Sequence, residues 1–436
     1  MRSKPISPLL IAALAVAAST FSPAVRAHAQ ESVLYTFPGG LVGSLPESNL
    51  TLDSAGNLYG TTLLGGSGSN CGQIGNNCGT VYQLSHGTGG WIETVLAKFD
   101  GDTNGGDLFK GVVQDATGNF YGAAPAGGIV GDCNGPYYNF GGCGVIYKLS
   151  RDAAGQWRKT TIYSFTGSTD GANPASNLII DAAGNLYGTT QAGGNLSGCS
   201  KIGCGVAFRL SHTPTGWHER VLHAFGAAEA HSPYPSGLVQ DAAGNVYGTT
   251  FNSGNPACSF GCGTVFELSP TASGPWTAST LYTFTGGTDG ALPVADLILD
   301  AAGNLYGTTE EGGANNDGVV FELSASGGSW TETVLYSFTG GDDGRYPRSG
   351  VLFDPAGNLY GATYFGGITV FCVNGCGAIY KLSPSGGGWV ESNVYTFQGN
   401  TDGYNPSGLV RDSAGNLYGS ASGGNNGNGE VFKVIP

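Results

Sequence analysis

Short apolar runs alternate with clusters of Gly, Asp, Asn, Ser and Pro along almost the whole chain, and no helical period appears after the N-terminal stretch. Val, Ile, Leu, Thr, Tyr and Phe fill the runs. That pattern predicts strands joined by tight turns. One phrase, D-x-x-G-N-x-Y-G, recurs seven times, at 53–60, 115–122, 181–188, 241–248, 300–307, 354–361 and 412–419. A fixed-period repeat decides architecture before any single residue does.

Four segments surround each phrase. A short apolar run ends in the Asp, as at 297–300, and the second half of the phrase follows, as at 304–309. A G-x-[VIA]-[FY]-x-[LV] run comes next, as at 318–323, and a segment opening on Trp and closing on Phe ends the unit, as at 330–338. Phrases start 54 to 66 residues apart. Four short antiparallel strands at that period predict one propeller blade, so the expected fold is an all-β, seven-bladed β-propeller. Six Trp open six fourth strands, and the seventh fourth strand is missing after 431–434. The N-terminal S-V-L-Y-T-F at 32–37 matches the end of such a strand, as at 333–338. It is therefore expected to complete the last blade and close the ring. An open β-solenoid is the alternative, and it leaves that strand unused.

Asp first and Gly fourth suit a type I turn, with the Asp carboxylate bonding backbone N–H groups ahead of it. Within the strand that follows, Tyr and Gly point to opposite faces. The expectation is that each Tyr packs into the gap left by the Gly of the adjacent sheet.

Composition refines this picture. Gly accounts for 78 of 436 residues, yet aromatics reach 11%, so the glycine punctuates a folded chain. Residues 1–29 read as a signal peptide: Arg2 and Lys4, a short apolar run, then Ala27-His28-Ala29. Residues 30–436 read as a single repeat domain, secreted to the periplasm or outside the cell, with no membrane span and monomeric. Without the leader, 14 basic residues face 31 acidic ones, which argues against nucleic acid and anionic membranes. The ten Cys fall in near pairs: Cys71/Cys78, Cys133/Cys143, Cys199/Cys204, Cys258/Cys262 and Cys372/Cys376. In an exported chain these predict disulfides, and the spacing does not suit zinc.

The G-L-V-x-D-x-x-G-N-x-Y core resembles NHL-type propeller repeats. The fuller order, G-N-L-Y-G-T-T, then G-G, then G-x-V-F-x-L-S, resembles the Gloeobacter–Verrucomicrobia repeat, also called GloVer or choice-of-anchor repeat, over essentially the whole mature chain. The resemblance implies an exported bacterial protein of repeat architecture. It implies no established activity and no catalytic residues. Family members carry varied C-terminal anchors; this sequence ends at Pro436 directly after a strand, so release is the expectation.

In a four-strand meander, the loops after the second and fourth strands share one face, and the Asp-x-x-Gly turns lie on the other. The first set varies between copies and holds every Cys pair; binding is expected there. The position after Thr-Thr, near the tunnel mouth, varies freely. Glu310, Tyr364, Gln191 and Phe251 occupy it in four copies; with Glu311, Phe365, Tyr137 and Tyr138 they form a candidate ligand surface. The loops before the first strands read F-x-G-x-x-D-G-x-x-P. Their Asp170, Asp289, Asp343 and Asp402 are turn residues or weak candidates for a calcium site. No nucleophile elbow, P-loop or zinc-protease motif appears. The leading expectation is a non-catalytic module binding a glycan, peptide or protein partner. A polysaccharide hydrolase or lyase and a structural surface protein are the alternatives.

Overall fold

The computed structural model describes residues 29–67, 78–129, 133, 141–196, 199, 202–226, 237–258, 261–271, 274–367 and 371–436. The leader up to residue 28, Cys71, Tyr137 and Tyr138 lie outside them. Seven antiparallel sheets follow one another, each with first, second, third and fourth strands in order; in blades three and seven a further short strand, Ala172–Pro174 and Tyr404–Pro406, also pairs with the second strand. Blade five is typical, with strands Ile298–Leu299, Leu305–Thr309, Val319–Ser326 and Ser329–Ser337. In blade seven the fourth strand is Gln30–Thr36, paired with Glu430–Ile435. The expected closure by the N-terminal strand is what the fold uses. It covers an edge that would otherwise stay unpaired.

The second strands are buried along their length, as in Leu305–Thr309, because each is flanked by two strands and two neighbouring blades. Among the described residues, seven apolar clusters fill the spaces between consecutive blades. A ring of aromatic pairs runs through them. The Phe ending each fourth strand meets the third-strand aromatic of the next blade: Phe37–Tyr82, Phe99–Tyr147, Phe165–Phe208, Phe225–Phe266, Phe284–Phe321, Phe338–Tyr380 and Phe397–Phe432. Ring centroids lie 4.9 to 5.2 Å apart, near edge-to-face. Each buried Phe contributes roughly 1.5–3 kcal/mol relative to exposure.

The repeated phrase closes on itself. Asp53 accepts from the Ala55 and Asn57 amides through Oδ1, at 2.9 and 2.8 Å. Its Oδ2 accepts from the Asn57 side chain at 2.8 Å and the Tyr59 hydroxyl at 3.0 Å. The Tyr-to-Asp bond recurs in all seven copies. Burial raises each Asp pKa, but these hydrogen bonds outweigh it and hold the carboxyl below its ordinary range, to about 2 at Asp115.

The glycine of the phrase does not receive the Tyr of an adjacent sheet, contrary to expectation. Gly307 lies opposite Phe321 in its own sheet, and a Cβ added there would sit 2.7 Å from both Phe321 Cζ and Leu297 Cδ2. The third-strand aromatic fills the gap in every blade: Tyr82, Tyr147, Phe208, Phe266, Phe321, Tyr380 and Phe432. The repeat Tyr instead leans on the next blade, as in Tyr59–Phe120 at 4.2 Å and Tyr121–Trp217 at 5.8 Å. The reason is register: the directly opposed residue is nearer than anything across a blade interface.

Candidate functional site

The seven innermost chain positions lie four residues before each repeat Asp: Asn49, Gly111, Asn177, Gly237, Asp296, Gly350 and Gly408. Three carry side chains, and these meet across the axis. Asp296 Oδ2 accepts from the Asn49 amide at 3.0 Å and the Asn177 amide at 2.6 Å. Asp296 Oδ1 accepts from the Gly237 amide, and Asn177 Oδ1 from the Gly111 amide at 3.1 Å. Glycine at the other positions makes room: a Cβ on Gly408 or Gly237 would collide with Asn49 or Asp296. The three side chains therefore plug the tunnel.

On the loop-face side of this plug lies a pocket of about 190 Å³ lined by Glu47, Asn49, Phe109, Lys110, Arg348, Tyr364, Asn405, Pro406, Ser407 and Gly408. Arg348 organises its rim. Its guanidinium donates to Glu310 Oε1 through Nε at 3.0 Å and Nη2 at 2.5 Å, and lies 4.4 Å from the Tyr364 ring centre. The Glu310 side chain is only 12% exposed and that of Arg348 44%. Burial pushes the Glu47 carboxyl up, opposed by a Ser422 hydrogen bond and by Arg348. Burial and the charge of Glu47 raise the Tyr364 hydroxyl. The Asn405 amide donates to the Tyr364 carbonyl at 2.6 Å. Leu45, Asp107, Asn173, Leu292, Tyr346 and Asn405 hold positive φ in six of the loops leading to the first strands. Left-handed backbone at bulky residues costs on the order of 1–2 kcal/mol each and concentrates at working surfaces.

Of the residues singled out in the sequence, Glu310 and Tyr364 come together, both against Arg348. Phe365 packs on Tyr364 at 4.8 Å without lining the pocket. Glu311 exchanges backbone bonds with Ala291, at 2.7 and 3.0 Å. It, Gln191 and Phe251 stand apart from the pocket wall. Arg348, Glu47, Lys110 and the Asn49–Asp296–Asn177 plug escaped the sequence reading. Their signal was positional: five to six residues before the repeat Asp for the first group, and four for the plug.

The four loop aspartates are held by their own loops. Asp343 Oδ2 accepts from the Tyr336 hydroxyl at 2.9 Å and the Thr339 amide at 2.8 Å, and its Oδ1 from the Thr339 hydroxyl at 2.6 Å. Tyr163, Tyr282 and Tyr395 serve Asp170, Asp289 and Asp402 alike. Each Asp also faces a fourth-strand Glu of the following blade. Burial first, then that aspartate, pushes Glu219, Glu332 and Glu391 up to about 7. Where Asn104 replaces the Asp, the facing residue is Lys159, whose ammonium donates to Asn104 Oδ1 at 2.6 Å. Where Val42 replaces it, Tyr35 donates to Glu93 at 2.8 Å instead. Among the described residues, no three His, Cys, Asp or Glu side chains converge as a metal cage.

Among the described residues, four disulfides clamp the loops after second strands: Cys133–Cys143, Cys199–Cys204, Cys258–Cys262 and Cys372–Cys376, with Cα atoms 5.1 to 5.3 Å apart. The fifth expected bridge, Cys71–Cys78, is not among them, because Cys71 lies outside the described residues. Cys78 itself is disulfide-bonded and 0% exposed. It packs with Phe99 and Leu108 in the apolar cluster between blades one and two. Three of the four clamps rest on the glycine of their blade's F-x-G, at Gly167, Gly286 and Gly399. Blade five lacks cysteines, and there Asp317 abuts Gly340. The disulfides point to a non-cytoplasmic setting. Among the described residues no helix is long and apolar enough to cross a membrane.

The Gloeobacter/Verrucomicrobia repeat profile matches residues 70–298 and 235–436. The chain belongs to that repeat family. No curated protein matches it significantly. Among solved structures, a Bacteroides uniformis protein provisionally assigned as a 6-phosphogluconolactonase is similar, at 16% identity and TM-score 0.49, over 81% of this chain and 88% of that one. A Dyadobacter fermentans protein of unknown function gives 13% and 0.43, over 74% and 92%. A Xanthomonas campestris gluconolactonase gives 14% and 0.37, over 67% and 81%. Likenesses this distant carry no argument about activity.

Proposed function

We propose that this member of the repeat family is an exported binding module whose ligand enters the loop-face mouth of the tunnel, residues 1–29 being a cleaved leader. The observation that carries the reading is the blind pocket of about 190 Å³ above the plug. It is smaller than sites that bury a whole drug-sized ligand, about 300–1,000 Å³, so it suits one ring or a chain end. Phe109 and Tyr364 offer apolar faces, while Arg348, Lys110, Glu47 and Asn405 offer directional polar groups. That mixture fits a sugar unit of a glycan, with the irregular loops contacting what extends outward.

A hydrolase is the second reading, favoured by one observation. Burial raises the Glu47 carboxyl, and Arg348 acts on both Glu47 and its ion-pair partner Glu310, so two carboxyl groups lie about one guanidinium. Glycosidases work with two carboxyl groups about one bond. A glycan array with product analysis tests both. The binding reading expects retention without cleavage, and at least tenfold weaker retention for Arg348→Ala. Cleavage products that vanish in Glu47→Gln while binding persists establish the hydrolase instead. No retention of any glycan removes the sugar assignment.

A further inference from the structure

Glu430 occupies a slot that holds valine in three sister blades and threonine, Thr80 and Thr264, in two others. It opens the third strand of the closing blade, and its carboxyl sits between Gly403 and Gly424, with Oε1 2.9 Å from where a Gly403 Cβ would lie. The valines are Val145 between Gly105 and Gly128, Val206 between Gly171 and Gly194, and Val319 between Gly290 and Gly313. Glu430 is 0% exposed, and among the described residues neither carboxyl oxygen has a hydrogen-bond partner. A carboxylate buried so completely and without a partner is strongly disfavoured, whereas the neutral acid is tolerated.

Among the described residues, its surroundings contain no compensating cation. The ionisable groups facing it are Glu31 from the N-terminal strand and Asp402 from the loop after the sixth blade. Tyr395 from that blade's fourth strand senses all three acids and donates to Asp402 at 2.7 Å. Glu31 Oε1 is likewise buried and unpartnered. Lys433, on the same strand as Glu430, lies over the Tyr418 ring, 5.8 Å from its centre. Glu430 pairs in register with Thr36, the last residue of the N-terminal strand, and Glu31 lies near that strand's other end. The acids therefore bracket the strand that closes the ring.

We propose that protonation of Glu430 and Glu31 latches the N-terminal strand into the seventh blade, making ring closure sensitive to pH. Burial and the charges of Glu31 and Asp402 raise Glu430 from 4.5 to about 8, and burial and Asp402 raise Glu31 to about 7. The folded state thus holds these protons more tightly than the open state. The latch is complete below about pH 4.5 and weakens as pH rises toward 8. Each group contributes at most about a tenfold change in opening constant per pH unit.

Hydrogen exchange of the Gln30–Thr36 amides, corrected for intrinsic rates, tests this in the mature chain from pH 5 to 8.5. Exchange of the fourth strands of blades one and four, which lack this acid-facing-acid arrangement, is the internal reference. The wild type is expected to gain at least tenfold in N-terminal strand opening across that window. Glu430→Val, which installs the residue of three sister blades, is expected to lose most of that rise; Glu430→Gln serves if the valine variant does not fold. Equal pH profiles for wild type and both variants overturn the proposal. So does full suppression of the wild-type rise by millimolar calcium, since a cation would then be the natural counter-charge. A rise equal to that of the reference strands refutes it as well.

Discussion

Gly307→Ala probes the contact that repeats seven times. The added methyl would sit 2.7 Å from Phe321 Cζ, 3.0 Å from Phe321 Cε1 and 2.7 Å from Leu297 Cδ2. Ordinary carbon–carbon contact is about 3.5–4.0 Å, so about 1 Å must be found. Phe321 is 0% exposed and Leu297 3%, and Phe321 is locked edge-to-face against Phe284 at 5.2 Å. Neither can swing away without opening the interface between blades four and five. Overpacking of this kind costs typically about 1–3 kcal/mol, and two rigid neighbours place it in the upper half of that range. The measurement is the chemical-denaturation midpoint and slope of the mature chain. A double-mutant cycle with Phe321→Leu, which removes the clashing ring edge, should give a favourable coupling above about 0.5 kcal/mol. The same cycle with Tyr247→Leu should give a smaller coupling, because the atoms nearest the added methyl belong to Leu297 and Phe321, while the Tyr247 ring rests on Trp330 at 6.2 Å. An unchanged midpoint for Gly307→Ala, or coupling to Tyr247 in place of Phe321, refutes the argument.

Three further outcomes follow from other contacts. Tyr147 is wholly buried and its hydroxyl lacks a partner among the described residues, so Tyr147→Phe should be neutral or stabilising by up to about 1 kcal/mol in the same unfolding assay. Asp296→Ala strands the Asn49 and Asn177 amides on the axis; a loss of about 1–3 kcal/mol in unfolding free energy is expected. The repeat aspartates have depressed carboxyls, so their contribution is present above pH 3.8 and is lost as pH falls toward about 2. Midpoints measured from pH 5 to 2 should therefore drop, and Asp115→Asn should flatten part of that drop.

Local spacing carried most of the architecture. Strand count, blade number and closure by the N-terminal strand were legible because each rests on motif order, and a repeat states its own period. The Asp-turn was legible for the same reason: all its partners lie within six residues, as in Asp53 to Tyr59. The partner of Gly307 was not, because the choice between Phe321 and a Tyr of another sheet depends on pairing register and not on alternation alone.

The candidate site divides along the same line. Glu310 and Tyr364 could be picked from a variable position beside a fixed one. Arg348, which joins them, sits 38 residues after Glu310, and only the packing of blade six against blade five brings the two side chains together. Asn49 and Asp296 are 247 residues apart and meet because seven short inner strands converge on one axis. Sequence by itself determined the repeated unit and how many times it turns. The tertiary structure decided what gathers at the centre and at the closing seam. The Asp296–Asn49 hydrogen bond and the charge of Glu31 acting on Glu430 arise from closing the circle, and no local pattern encodes them.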